Sequence, residues 1–138
     1  MNSLLKRRER IVRVRRVQHL QASAAAAQAE TRVATLEGNV ARLVTLQESL
    51  SPAPGQVFAA ALSNAGELAM RLDAARHGMT DAIASARASA DRLSGLRLEA
   101  RMRQESAEKL GERAQEAYAE WRERRRATPH RRKTGPFE

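Results

Sequence analysis

The side chains best suited to metal or proton chemistry are three histidines, His19, His77 and His130, and they stand far apart along the chain. A metal site needs three or four ligands converging on one point, so these positions do not read as a cluster. The chain has no cysteine, which excludes a disulfide scaffold, a thiol nucleophile and thiolate ligands. Four carboxylates, Glu105, Glu108, Glu112 and Glu116, recur at helical spacing. Arg101, Lys109 and Arg113 are interleaved among them, which is the pattern of ion pairing along a helix face. No Gly-rich phosphate loop is present. The expectation is a protein without enzymatic activity, cofactor or metal.

The remaining chemistry is cationic. Residues 8–17 read RERIVRVRRV, an arginine-rich stretch with alternating apolar residues. The net charge is +9, and it is concentrated at the two ends. Residues 1–20 hold seven Lys/Arg against one Glu, and residues 121–138 hold seven against two; the middle, 21–120, sums to −2. Two basic zones, Arg7 to Arg16 and Arg122 to Lys133, therefore call for an acidic partner: protein, phosphate or lipid headgroup.

What positions these zones follows from composition. Hydrophobic residues make up 42%, but 27 of the 138 residues are alanine, with two Phe, one Tyr and one Trp. Alanine is the best helix former and a poor filler of thick cores, so the chain suits a thin seam between helices. The strongest punctuation is SPAPGQ at 51–56, where Pro52, Pro54 and Gly55 end a helix. After it, gaps of three and four run Phe58, Ala61, Ala65, Leu68, Leu72, Ala75, Met79, Ala82, Ala86, Ser89, Leu93, Leu96, Ala100, Arg103, Ala107, Leu110, Ala114, Ala117, Trp121, with seventeen of nineteen positions apolar. A seven-residue repeat sustained this long predicts a coiled coil. Before the break, Val12, Arg15, His19, Ala22, Ala26, Ala29, Val33, Leu36, Val40, Leu43, Gln47 and Leu50 keep the same repeat. Leu4, Ile11, Val14 and Val17 form a neighbouring stripe. Strict alternation covers only Ile11 to Arg15, so RERIVRVRRV reads as helix.

The fold class is all-α: a long two-helix antiparallel coiled-coil hairpin at 1–127, with helix 3–50, turn 51–55 and helix 56–126, and a disordered basic tail at 128–138. A start at Asn64, which with Glu67 resembles a capping box, is the alternative for the second helix. A short turn makes the helices antiparallel neighbours and sets 3–50 against about 56–103. The longer second helix, about 105 Å at the usual rise, then overhangs by about 30 Å, leaving Trp121 without a first-helix partner. Gly38, Gly66, Gly78, Gly95 and Gly111 fall inside the helices, and Gly78, beside Met79, is the one expected to permit close approach. A hairpin burying one stripe per helix should be marginally stable and work against a partner.

No apolar run approaches the ~20 residues of a membrane span, and no apolar core follows the basic start as in a secretory signal.

Taken together, the opening LLKRRERIVRVRRVQ, the run AQAETRVATLEGNVARL, the break SPAPGQ and the ending EAYAEWRERRR resemble the FliJ/YscO family over roughly residues 2–126. These are stalk proteins of bacterial flagellar and virulence type III export ATPases. The resemblance implies a hairpin similar to the coiled coil of the rotary ATP synthase gamma subunit. Its open end enters a hexameric ATPase ring, promotes ring assembly and links hydrolysis to the export gate, a membrane protein. Some members also bind export chaperones. The resemblance implies ring-facing candidates Arg7, Arg8, Arg10, Arg13, Arg16, Arg122, Arg124 and Arg125, and gate-facing candidates Leu46, Val57, Leu62 and Met70. It implies a cytoplasmic protein held at the inner membrane's cytoplasmic face through its partners. The chain departs from the family in its few aromatics and its tail after Thr128. Composition alone also allows a nucleic-acid-binding coiled coil, using arginines on phosphates, or a generic adaptor coiled coil. Near-absence of stacking aromatics weighs against the first.

Overall fold

The computed structural model describes residues 2–50 and 59–128, and they form two long helices, α1 (Asn2–Ser49) and α2 (Ala59–Ala127). The helices pack against each other as an all-α hairpin. The arginine-rich 8–17 stretch is helical throughout. The turn at 51–55, the expected start of the second helix at 56 and the tail from Pro129 lie outside the described residues. Asn64 is interior to α2, so the Asn64–Glu67 capping box is not the start of that helix.

Local chemistry explains why each helix persists and stops. Thr31, Thr35 and Thr45 each donate their hydroxyl to the carbonyl four residues earlier, at 2.9–3.0 Å, which satisfies a β-branched polar residue without leaving the helix. α1 ends in a tightened turn: Leu50 N donates to the Gln47 carbonyl at 3.3 Å, and Ser49 Oγ to the Leu46 carbonyl at 2.7 Å. At the end of α2, Thr128 donates both its N–H and its hydroxyl to the Arg124 carbonyl, at 3.1 and 2.8 Å. Arg124, Arg125 and Arg126 occupy that last turn, where positive charge complements the helix dipole.

The chain divides into two compact units. Unit 1 joins Met1–Leu20 with Glu99–Glu138; unit 2 is Gln21–Leu98. In unit 2, Arg87 Nε donates to Glu37 Oε1 at 3.2 Å, tying α1 to α2, and Val33 and Ala90 line the same groove as that pair. In unit 1, Arg16 Nε donates to Glu108 Oε1 at 3.0 Å, and Gly111 faces the Val12 side chain. Earlier α1 residues meet later α2 residues, so the packing within each unit is antiparallel.

The pairing differs from the one expected. Placing 3–50 against 56–103 would leave Arg16 far from Glu108 and make 104–126 an overhang. Instead residues 104–115 of α2 have α1 beside them in unit 1. The reason lies in the seam. Alanine fits alanine in any register, so register is set by the few specific pairs, Val12 with Gly111, Arg16 with Glu108 and Glu37 with Arg87.

The phase of α1 agrees with the repeat read from the sequence. Val12, Arg15, His19, Ala22, Ala26, Ala29, Val33, Leu36, Val40, Leu43, Gln47 and Leu50 are all at least half-buried, and the line extends back through Arg8 and Leu5. In α2 only alternate members of the expected stripe are inside: Ala65, Leu72, Met79, Ala86, Leu93, Ala100, Ala107 and Ala114. Their companions are not Leu68, Ala75, Ala82, Leu96, Arg103, Leu110 and Ala117, which are exposed. The residues one position later, Ala69, Arg76, Ile83, Ala90, Gln104, Gly111 and Tyr118, turn inward instead. The gaps run four–three rather than three–four, a rotation of the inward face by a fraction of a turn. Ser89 is half-buried beside Ala90.

The seam is thin. Among the described residues only Ala26, Ala86 and Ala107 are buried, and no large side chain is fully enclosed. Of the helical glycines, Gly38, Gly66, Gly78 and Gly95 have open space where a Cβ would stand; Gly111 alone has a neighbour, Val12 Cγ2 at 3.5 Å. The close approach therefore occurs at Gly111 and not at Gly78.

Candidate functional site: the basic helix pair of unit 1

Charge separates the two units. Unit 2 carries seven Lys/Arg and seven Asp/Glu, a formal balance. The described part of unit 1 carries fifteen Lys/Arg against eight Glu, a net +7. All eight arginines proposed to face a ring, Arg7, Arg8, Arg10, Arg13, Arg16, Arg122, Arg124 and Arg125, fall in unit 1. Antiparallel packing there brings the two basic zones, remote in sequence, to the same end of one helix pair. Extending the Val12–Gly111 register sets the first turn of α1, Asn2 to Leu5, level with Trp121 to Tyr118.

The arginines differ in what holds them. Arg16 is tied across the helices to Glu108, which also accepts from Gln104 Nε2 at 3.1 Å. These bonds, Gln104 first and then Arg16, hold the Glu108 carboxyl below the ordinary glutamate value. Arg124 pairs with Glu120 at 3.2 Å. Arg122 and Arg125 lie over aromatic faces: Arg122 is 5.9 Å from the Tyr118 ring and Arg125 5.1 Å from the Trp121 ring. The two rings stack at 5.8 Å. Such cation–π contacts fix arginines with their charge still presented outward. Arg7, Arg10 and Arg13 are exposed. Arg8 is half-buried at the seam, touching the grooves on both sides of it.

Two grooves flank the seam in unit 1, and they differ in charge. The groove at Val12 and Gly111 is lined by Arg8, Arg13 and Arg16 but also by Glu9, Glu108 and Glu112. The groove at Ile11 and Ala107 is lined by Arg8, Arg15 and Arg103 with no carboxylate.

Three of the four residues proposed to face a gate lie in unit 2 and are exposed: Leu46, Leu62 and Met70. Val57 lies outside the described residues. His77 Nδ1 is 2.9 Å from the Asp73 carbonyl on its own helix, while His19 belongs to unit 1. Among the described residues no three His, Asp or Glu converge as metal ligands, and no helix is long and apolar enough to cross a membrane.

The spacing of Glu108 predicts pairing along its own helix. Arg101–Glu105 does form such a pair at 3.0 Å, but Glu108 reaches across to α1. Tyr118 stands three residues before Trp121, a spacing that lets rings meet on one helix face and that is readable in the sequence. The chain matches no family model, no curated protein and no solved structure.

Proposed function

We propose that this protein is the stalk of a bacterial type III protein export ATPase, flagellar or virulence-associated, with unit 1 seated in the centre of the hexameric ring and unit 2 directed to the export gate. It acts by binding, without a reaction of its own, at the cytoplasmic face of the inner membrane through its partners. The observation that carries this reading is the charge asymmetry: a net +7 on the helix pair holding both basic zones, against a formally neutral second unit. The resemblance of the sequence to the FliJ/YscO stalks supplies the kind of partner.

The physics suits a stalk. Exposed arginine contacts contribute about 0–1 kcal/mol each, so many of them hold a helix pair inside a ring without locking it to one subunit. Arg122 and Arg125, braced on Tyr118 and Trp121, offer charge at reduced ordering cost. Leu46, Leu62 and Met70 give unit 2 apolar contacts for a gate protein.

The test is stimulation of an export ATPase from the same genome by the purified protein. Wild type should raise hydrolysis and ring assembly, and reversing Arg7, Arg10 and Arg13 to Glu should remove the effect while leaving helicity unchanged. Strong, salt-sensitive binding to duplex DNA with no effect on the ATPase would replace this reading with phosphate-backbone binding.

A further inference from the structure

The rotation of the α2 seam leaves a second heptad line unpartnered. In unit 1 it runs Arg103, Leu110, Ala117, each seven residues after the last, with Met102 beside it. Leu110 is 43% and Met102 64% exposed. α1 carries its own second line on the same side of the seam: Leu4 and Ile11, again seven apart, with Leu4 53% exposed. Ile11, Met102, Ala107 and Leu110 meet in one groove of about 310 Å³.

An apolar floor of Ile11, Met102, Ala107 and Leu110 between two antiparallel helices, whose seven-residue steps lead on to Leu4 in α1 and Ala117 in α2, matches one kind of occupant, another helix packing knobs into holes. A globular surface or a lipid interface imposes no such period. The charge of the rim selects among helices. Arg8 and Arg15 flank the apolar floor from α1 and Arg103 from α2. Arg15 Nη1 donates to Gln18 Oε1 at 2.9 Å, and Arg103 faces Glu99 at a loose 3.9 Å. No carboxylate lines this groove, whereas three line the one on the opposite flank. A second copy of the chain would bring its own +7 unit against this rim, so repulsion disfavours self-pairing here.

We infer that the Ile11–Leu110 groove of unit 1 docks an acidic amphipathic helix of a partner protein, which completes a three-helix bundle. Leucine-type residues at heptad positions fill the floor over Ile11, Met102 and Leu110. Glutamates or aspartates beside them meet Arg8, Arg15 and Arg103. Trp121, four residues past Ala117 on the same flank, reports occupancy as the chain's single tryptophan. The inference does not depend on the stalk reading, since it concerns only what this groove accepts.

The probe is a tryptophan-free synthetic peptide of about four heptads, with leucine at a and d and glutamate at e and g. It is compared with a scrambled peptide of identical composition and a twin bearing lysine for glutamate. Binding to the full-length protein is followed by Trp121 fluorescence and by sedimentation. The patterned acidic peptide should bind at least about tenfold tighter than the scrambled one, and the lysine twin should not bind. Leu110→Glu and Met102→Glu should each weaken binding about tenfold or more, the range of a buried anchor. Gln115→Glu, the same charge change on the opposite flank, should alter it less than about threefold. Circular dichroism on each variant separates lost binding from lost helix. Equal binding of patterned and scrambled peptides would reduce the effect to charge and overturn the inference. So would undiminished binding by Leu110→Glu and Met102→Glu, or a wild-type dimer that Leu110→Glu dissociates.

Discussion

Arg16 and Glu108 stand 92 positions apart in sequence and 3.0 Å apart in space. Together with the Val12–Gly111 contact, this bond marks the direction and register of the helix pair in unit 1. It also has a pH signature. Because the folded Glu108 carboxyl is held below its ordinary value, it favours the folded state above the unfolded pKa of about 4.3. That contribution fades as pH falls through the lower folded value. Thermal melts of wild type and Glu108→Gln should therefore differ near pH 7 and converge as the pH is taken well below 4. A constant difference across the range would mean that the carboxylate charge is not what matters there.

The rotated α2 seam separates residues that sequence periodicity treats alike. Ile83, half-buried, should cost about 1–2 kcal/mol when replaced by Ala, below the 2–5 kcal/mol of a fully enclosed site. Leu68→Gln, at an exposed position of the expected stripe, should change stability by no more than about 0.5 kcal/mol. Urea unfolding of the two variants checks this, and the reverse order would restore the three–four phase.

Ala26 is wholly enclosed in unit 2. Ala26→Leu has no space to enter and should destabilise by about 1–3 kcal/mol through forced separation of the helices. Ala24→Leu, on the exposed face, should be neutral within about 0.5 kcal/mol. Denaturant midpoints of the two variants give the comparison.

Gly38, Gly66 and Gly95 have open space where a Cβ would stand, and all are helical. Alanine at any of them should stabilise by about 0.5–1 kcal/mol through helix propensity and a less disordered unfolded chain. Gly111→Ala should also be tolerated, because the added Cβ meets Val12 at ordinary contact distance. A rise in melting temperature for each variant is the expected readout.

Much of this fold was legible in the residues, and the misreadings share one cause. Val33, Leu36, Val40 and Leu43 are large enough to declare which face of α1 points inward, and the whole α1 stripe follows from them. In α2 alanine occupies positions on both sides of the true seam, so Ala82 and Ala90 look equally apolar and periodicity places the phase one position early. Leu68, Leu96 and Leu110 strengthened that choice because they keep a heptad, although they are exposed. Register was illegible for the same reason. Val12 against Gly111 and Arg16 against Glu108 are single contacts that no periodicity announces. The gathering of charge followed directly from antiparallel packing, and the arginines of both zones do share unit 1. Their differing restraint did not follow: the Glu108 bridge depends on the register between the helices, while the Tyr118–Trp121 stack is local to α2 and its three-residue spacing was legible.

The central claim is that residues near the two ends of the chain lie side by side in unit 1, so that two basic zones act as one surface. Since the chain has no cysteine, Ser3→Cys and Ala119→Cys, both at exposed positions, can carry nitroxide labels without competing sites. Double electron–electron resonance on the doubly labelled protein, diluted with unlabelled chain to remove intermolecular pairs, measures their separation. Helix axes about 8–10 Å apart predict a distribution centred within about 30 Å once label arms are included. A distribution centred far beyond that range, or a short distance that vanishes on dilution, would mean that the two basic zones do not meet within one molecule.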